Sequence, residues 1–120
     1  MITNENFFEV LLLRIPEFKS IYDEHVKDNR ELLNHVLMGD FTRFVISAFR
    51  STREPTVTVT EQTTLFRRCL GFLEEAMTSE DPSVRNLVRV SFLENLHQAG
   101  GDLEAIRGFL GPKLKEPMGW

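Results

Sequence analysis

Three histidines, one cysteine and two groups of carboxylates are the residues of this chain whose types could do chemistry. His25, His35 and His97 have no His-x-x-x-His spacing, no neighbouring Cys-x-x-Cys and no Glu in a zincin arrangement, so no metal centre is expected. His25 recurs with Phe18, Ile21, Tyr22 and Val26 at helical spacing, the position of a core or boundary histidine rather than of a ligand or base. His35 and His97 read as helix-boundary residues. Cys69 shares a face with Leu65 and Phe72 and reads as a small buried hydrophobe, whereas a reactive thiolate needs an electropositive, partly exposed site. Gly39-Asp40 and Gly100-Gly101 lack the spacing of a phosphate-cradling loop and have simple capping roles instead. An enzyme using His25 or His35 with Asp40 is therefore the least favoured reading, and neither catalytic residues nor a cofactor is expected.

The carboxylates are more suggestive. Asp23, Glu24 and Asp28 fall on one surface, and Glu74, Glu75, Glu80 and Asp81 gather at the join between two helices. A solvated face is the usual explanation of such groups. The alternative is an electrostatic landing site for a basic protein partner, which would speed association and set specificity. Against a nuclease, these carboxylates would meet residues that normally hold phosphates. Trp120, with Phe109, could supply an aromatic anchor, unless the terminal ring folds back onto the core.

The elements that must position these residues are helical. Residues 79–96 form the organising stretch: Asp81 is a helix N-cap, Pro82 takes the first helical position, and Val84, Leu87, Val88, Ser91 and Asn95 define one face. Val90, Phe92, Leu93 and Leu96 widen the apolar surface, so one central helix with packed neighbours is expected. Ser91 and Asn95 are its polar members, read as a small packing residue and an internally hydrogen-bonded amide. Thr3 or Asn4 caps a first helix that ends at Ile15-Pro16, and Pro16 opens an amphipathic helix with an acidic outer face. Residues 28–31 have the form of a capping box for a third helix, with Gly39 as its C-terminal stop and Asp40 as the cap of the next. A single helix across Gly39 would bury the Asp40 carboxylate, which is costly unless it is paired. Residues 51–57 read as a loop. The Thr-Val alternation over 56–60 reads either as a short strand without a partner or, preferably, as a capping box at 58–61. Gly100-Gly101 breaks the chain, Asp102 caps a short helix, Gly111-Pro112 stops it, and the tail after Lys113 reads as irregular.

Composition agrees with a single packed unit. At 120 residues, with 42% hydrophobic and 27% charged content, one helical domain over 1–120 can bury roughly two-thirds of its unfolded surface. Ten Phe against one Trp and one Tyr point to a core filled by large apolar rings. The fold expected is all-α, a compact bundle or a short solenoid-like stack of six to seven short helices. The 18 acidic and 14 basic residues divide evenly about Thr60, so no basic arm is hidden by averaging and direct nucleic-acid binding is not expected. A lone cysteine permits no intramolecular disulfide and makes the cytoplasm the expected compartment. The first residues lack a signal-peptide pattern, and apolar runs such as 10–13 are too short to span a bilayer, so no membrane association is expected.

Three stretches carry a family resemblance: His35-Val-Leu-Met-Gly-Asp40-Phe-Thr-Arg-Phe44; Leu73-Glu-Glu-Ala followed by residues 84–96; and Leu110-Gly-Pro-x-Leu114. Together they resemble an uncharacterised bacterial family of small all-helical proteins, of the kind found in polymorphic-toxin immunity loci. The resemblance covers about 18–114 and leaves the tail 116–120 unaligned. It brings no catalytic residues. It implies a protein that binds and neutralises a specific toxin; the acidic groups and the terminal ring read above then give Asp23, Glu24, Asp28, Glu74, Glu75, Glu80, Asp81 and Trp120 as the expected contact residues. A helical scaffold or adaptor that self-associates, or binds a cellular protein through Phe109, Leu114 and Trp120, is the alternative.

Overall fold

The computed structural model of the chain describes residues 2–29, 34–52 and 59–120, the side chains of 59–63 excepted. It is all-α, and no strand occurs among the described residues. The order is α1 (Phe7–Arg14), a 3-10 turn (Pro16–Phe18), α2 (Lys19–Asn29), α3 (Asn34–Ser51), α4 (Val59–Ala76) and α5 (Pro82–Val88). A π-helical turn (Arg89–Leu93), a 3-10 segment (Glu94–Asp102), α6 (Leu103–Arg107), α7 (Pro112–Lys115) and a last 3-10 turn (Glu116–Met118) follow. The loop expected at 51–57 and the two readings of 56–61 lie largely outside the described residues. So does half of the capping box at 28–31, whose first two residues instead complete α2.

Phenylalanine builds the core, as the composition suggests. Phe18 meets Phe41 edge-on at 5.1 Å and joins the start of α2 to α3. Phe7 meets Phe72 at 5.2 Å and joins α1 to α4. Phe49 meets Phe66 at 5.3 Å and joins α3 to α4. Offset and edge-to-face rings are the favoured aromatic geometry, so these contacts add orientation to burial. The long helices α3 and α4 pack side by side, α5 with its π-turn lies against α3, and α7 lies against α4.

Four expectations need correction. First, α3 runs unbroken through Gly39 and Asp40. The half-buried Asp40 carboxylate is paired with Arg43 one turn on and lies 3.8 Å from His25 Nδ1, which offsets the burial cost that argued for two helices. Second, the central stretch is not one α-helix. Asp81 caps it by accepting from the Ser83 N–H (2.9 Å), with Pro82 at the first position as expected, but the winding changes to π at Arg89 and to 3-10 at Glu94. Third, the tail is ordered into α7 and a 3-10 turn, with Leu114 buried against the core. The Gly100-Gly101 break is present as a kink, where Gly100 takes φ +57° inside the 3-10 segment. Fourth, Asp102 does not cap α6 with its side chain; its carboxylate accepts from Arg50 Nε at 2.9 Å.

Candidate functional site

The seven carboxylates divide by what holds them. Glu74 accepts from the backbone N–H groups of Lys113 (2.6 Å) and Leu114 (3.2 Å), clamping the start of α7 to α4. Glu75 is paired with Arg14, which ties α4 to α1 and holds the Glu75 carboxyl below its ordinary range. Asp81 accepts from the Asn4 N–H (2.8 Å) as well as from Ser83, and these two bonds lower its pKa. Asp23 pairs with Lys19 one turn earlier (3.0 Å). Each of these four has a structural task. Glu24, Asp28 and Glu80 are exposed, and among the described residues none of the three has a cationic partner.

The amino-terminal segment reaches the second of the two acidic groups. Thr3 and Asn6 exchange backbone-to-side-chain bonds (2.7 and 3.3 Å), the reciprocal pattern of a capping box with Thr3 as its cap, while Asn6, at the boundary of α1, makes no side-chain cap bond to the helix. Asn4 is thereby left to bridge: its N–H reaches Asp81, and its side-chain oxygen accepts from Asn34 Nδ2 at 3.4 Å. The α4–α5 corner carrying Glu80 is thus tied to the first residue of α3, five positions after Asn29 ends α2.

Trp120 is half-buried. The Arg107 guanidinium stacks on its ring at 4.6 Å, and the Trp120 N–H donates to the Lys115 carbonyl, so the terminal ring does fold back onto the chain. Phe109 stays 46% exposed while its edge packs on Phe49 and Phe66, and it walls a notch of about 430 Å³ with Arg67, Leu70 and Gly71. Leu114 is fully buried and cannot belong to an apolar contact surface with Phe109 and Trp120.

The candidate chemical groups are absorbed by the fold. Burial pushes the Cys69 thiol up to about 12. His25 is buried, and the Asn29 amide donates to its carbonyl at 2.8 Å. His35 Nδ1 lies 2.5 Å from Ser91 Oγ, a spacing shared with base-activated nucleophiles. Here, however, Ser91 is only 4% exposed. Its carbonyl accepts from Asn95 Nδ2 (2.9 Å) and lies 2.8 Å from Thr42 Oγ1, so the polar cluster seals the seam between α3 and the π-turn. Among the described residues no group of three His, Cys, Asp or Glu side chains could hold a metal ion. Among them, too, no helix is long and apolar enough to cross a membrane.

One surface feature was not singled out from sequence. Arg85 and Arg89 lie one turn apart at the start and end of the α5–π junction, and Lys113 of α7 joins them around a cleft of about 760 Å³. The arginine spacing is legible in the sequence; the approach of Lys113 depends on the Glu74 clamp and is not.

No curated protein and no solved structure matches this chain. Residues 8–118, nearly the whole of the helical unit, match one family, described only as a domain of unknown function, and the chain belongs to that family, DUF7674.

Proposed function

We propose that this chain is an immunity-type protein that binds a specific bacterial toxin domain and neutralises it by steric and electrostatic occlusion, with no catalytic step of its own. The observation that supports this reading is the placing of Asp28 and Glu24. Both are exposed on α2, four residues apart, and Asp28 sits in the last turn of that helix. Like charges at that spacing oppose the helix by ~0.2–0.5 kcal/mol. A carboxylate at the negative end of the helix dipole opposes it by a further ~0.3–1 kcal/mol. Among the described residues, local stability therefore gives no reason for these residue types, whereas a basic partner does. With the exposed Glu80 of the α4–α5 corner, Glu24 and Asp28 make up the acidic end proposed to meet the partner.

The test is co-purification of the chain from its native host at low and high salt, with the partner identified by mass spectrometry and its toxicity assayed with and without the chain. A stoichiometric, salt-sensitive, basic partner whose toxicity is suppressed supports the reading. A partner bound equally well by the Glu24→Lys/Asp28→Lys/Glu80→Lys variant contradicts it. The exposure of Phe109 beside the Gly71 notch favours a second reading, a scaffold that self-associates there; it requires a salt-resistant dimer that Phe109→Ser disperses.

A further inference from the structure

Beside the C-terminal helix the surface changes sign. The chain as a whole carries net charge −4, yet the cleft between α5 and α7 is lined by Arg85, Arg89 and Lys113 against the single carboxylate of Glu116. Two arginines at i, i+4 repel each other, so α5 does not gain stability from the pair. The fold nevertheless holds both in place. Arg85 donates to the Ser79 carbonyl, Arg89 Nη2 donates to Asn86 Oδ1 at 3.0 Å, and Arg89 Nη1 lies 3.7 Å from the exposed Glu94 carboxylate, a pair that an incoming carboxylate would have to share or displace. Each guanidinium has five N–H donors, so these bonds orient the groups and leave donors over. Lys113 reaches the cleft because Glu74 fixes the amides of Lys113 and Leu114, while the buried Leu114 side chain anchors α7 from below. The rest of the lining is Asn86 and the apolar side chains of Met77, Pro82 and Pro117.

We propose that this cleft binds an acidic peptide segment of a protein partner, its carboxylates against Arg85, Arg89 and Lys113 and an apolar side chain against the Met77–Pro82–Pro117 wall. Charge complementarity identifies the occupant, and the apolar side chains that share the lining with the cations favour a peptide over a compact inorganic anion. The cleft shares no residue with the acidic end, so the two proposals stand or fall separately. If both hold, a partner carrying charges of both signs is gripped in one orientation.

The test is an NMR titration of the ¹⁵N-labelled full chain with the acetylated, amidated pentapeptide EELEE, with KKLKK and pyrophosphate as parallel probes. EELEE is expected to shift the amide resonances of Met77, Asn86, Arg89 and Lys113, and KKLKK to leave them in place. The Arg89→Glu/Lys113→Glu variant is expected to bind EELEE at least ~10-fold more weakly with an unchanged helical signal. Should that variant misfold, the milder Arg89→Gln/Lys113→Gln variant is expected to weaken binding by ~3-fold or more. Peptide shifts elsewhere on the surface, no shifts at all, or pyrophosphate occupying the same amides as tightly as EELEE would each overturn the proposal.

Discussion

Replacing Gly111 with alanine tests the clamp that positions α7, because its effect should change sign with the residue at position 74. Gly111 has φ −75° and ψ 174°, a conformation open to any residue, so Gly111→Ala creates no backbone strain. Its added Cβ would lie 2.5 Å from Glu74 Cδ and Oε2, and 2.8 Å from Oε1. Carbon contacts settle near ~3.5 Å, so the carboxylate must retreat by about 1 Å. That stretches its bonds to Lys113 and Leu114, now 2.6 and 3.2 Å, towards or beyond useful length. Losing a charge-assisted pair at a half-exposed site costs ~1–2 kcal/mol, offset by ~0.4–1 kcal/mol from the lower entropy of the unfolded alanine chain. A net loss of about 1 kcal/mol lowers the midpoint by ~3–6 °C in a domain of this size. With Glu74→Ala already in place nothing is left to displace, and Gly111→Ala should raise the midpoint by ~2–5 °C. Thermal melts of the four chains in this double-mutant cycle read both signs. A wild-type background in which Gly111→Ala is neutral or stabilising would refute the clamp.

Three further outcomes are expected. Thr42→Val removes the hydroxyl that lies 2.9 Å from the Met38 carbonyl and 2.8 Å from the Ser91 carbonyl; it should cost ~1–2 kcal/mol in chemical denaturation and speed amide exchange through the π-turn. Cys69, with its thiol pushed up to about 12 by burial, should resist iodoacetamide at pH 8 in the native chain and react readily in guanidinium; equal rates would place the thiol at the surface. Glu17 beside Arg68, Glu75 beside Arg14, and Asp81 under the Asn4 N–H all have carboxyls below their ordinary range. The folded chain therefore binds fewer protons than the unfolded one, and the stability these groups contribute is present above about pH 4–5 and lost as pH falls through their folded values. Denaturation midpoints between pH 6 and pH 3 should fall accordingly, and Asp81→Asn should flatten that dependence.

Much of the fold is legible in the sequence because its signals are local. The Asp81 cap with Pro82 behind it, the stop before Pro16, the buried face of α2 with His25 on it, and the phenylalanine core all follow from neighbours within a few residues. What local reasoning misjudges is settled at a distance. The break expected at Gly39 assumed a stranded Asp40 carboxylate, yet Arg43 lies on the same helix and His25 arrives from α2. The tail looked irregular because its organiser, Glu74, lies 39 residues upstream of Lys113. Three carboxylates of the expected landing site carry structural bonds that sequence hides for the same reason: Lys113 reaches Glu74 across 39 positions, Asn4 reaches Asp81 across 77 and Arg14 reaches Glu75 across 61, whereas the Lys19 partner of Asp23 is only one turn away. The three that remain, Glu24, Asp28 and Glu80, stand out only once those long-range bonds are known.

On the proposed function, Glu24, Asp28 and Glu80 serve a partner rather than the fold. The most direct measurement of this claim pairs stability with binding in Asp28→Lys and in the Glu24→Lys/Asp28→Lys/Glu80→Lys variant, by thermal melts and by capture of the host partner at low salt. Asp28→Lys should melt no lower than the wild-type chain, and ~0.3–1 kcal/mol more stably if the helix dipole dominates, while the triple variant loses the partner at low salt. A clear fall in the melting temperature of Asp28→Lys, or undiminished capture by the triple variant, would contradict the claim.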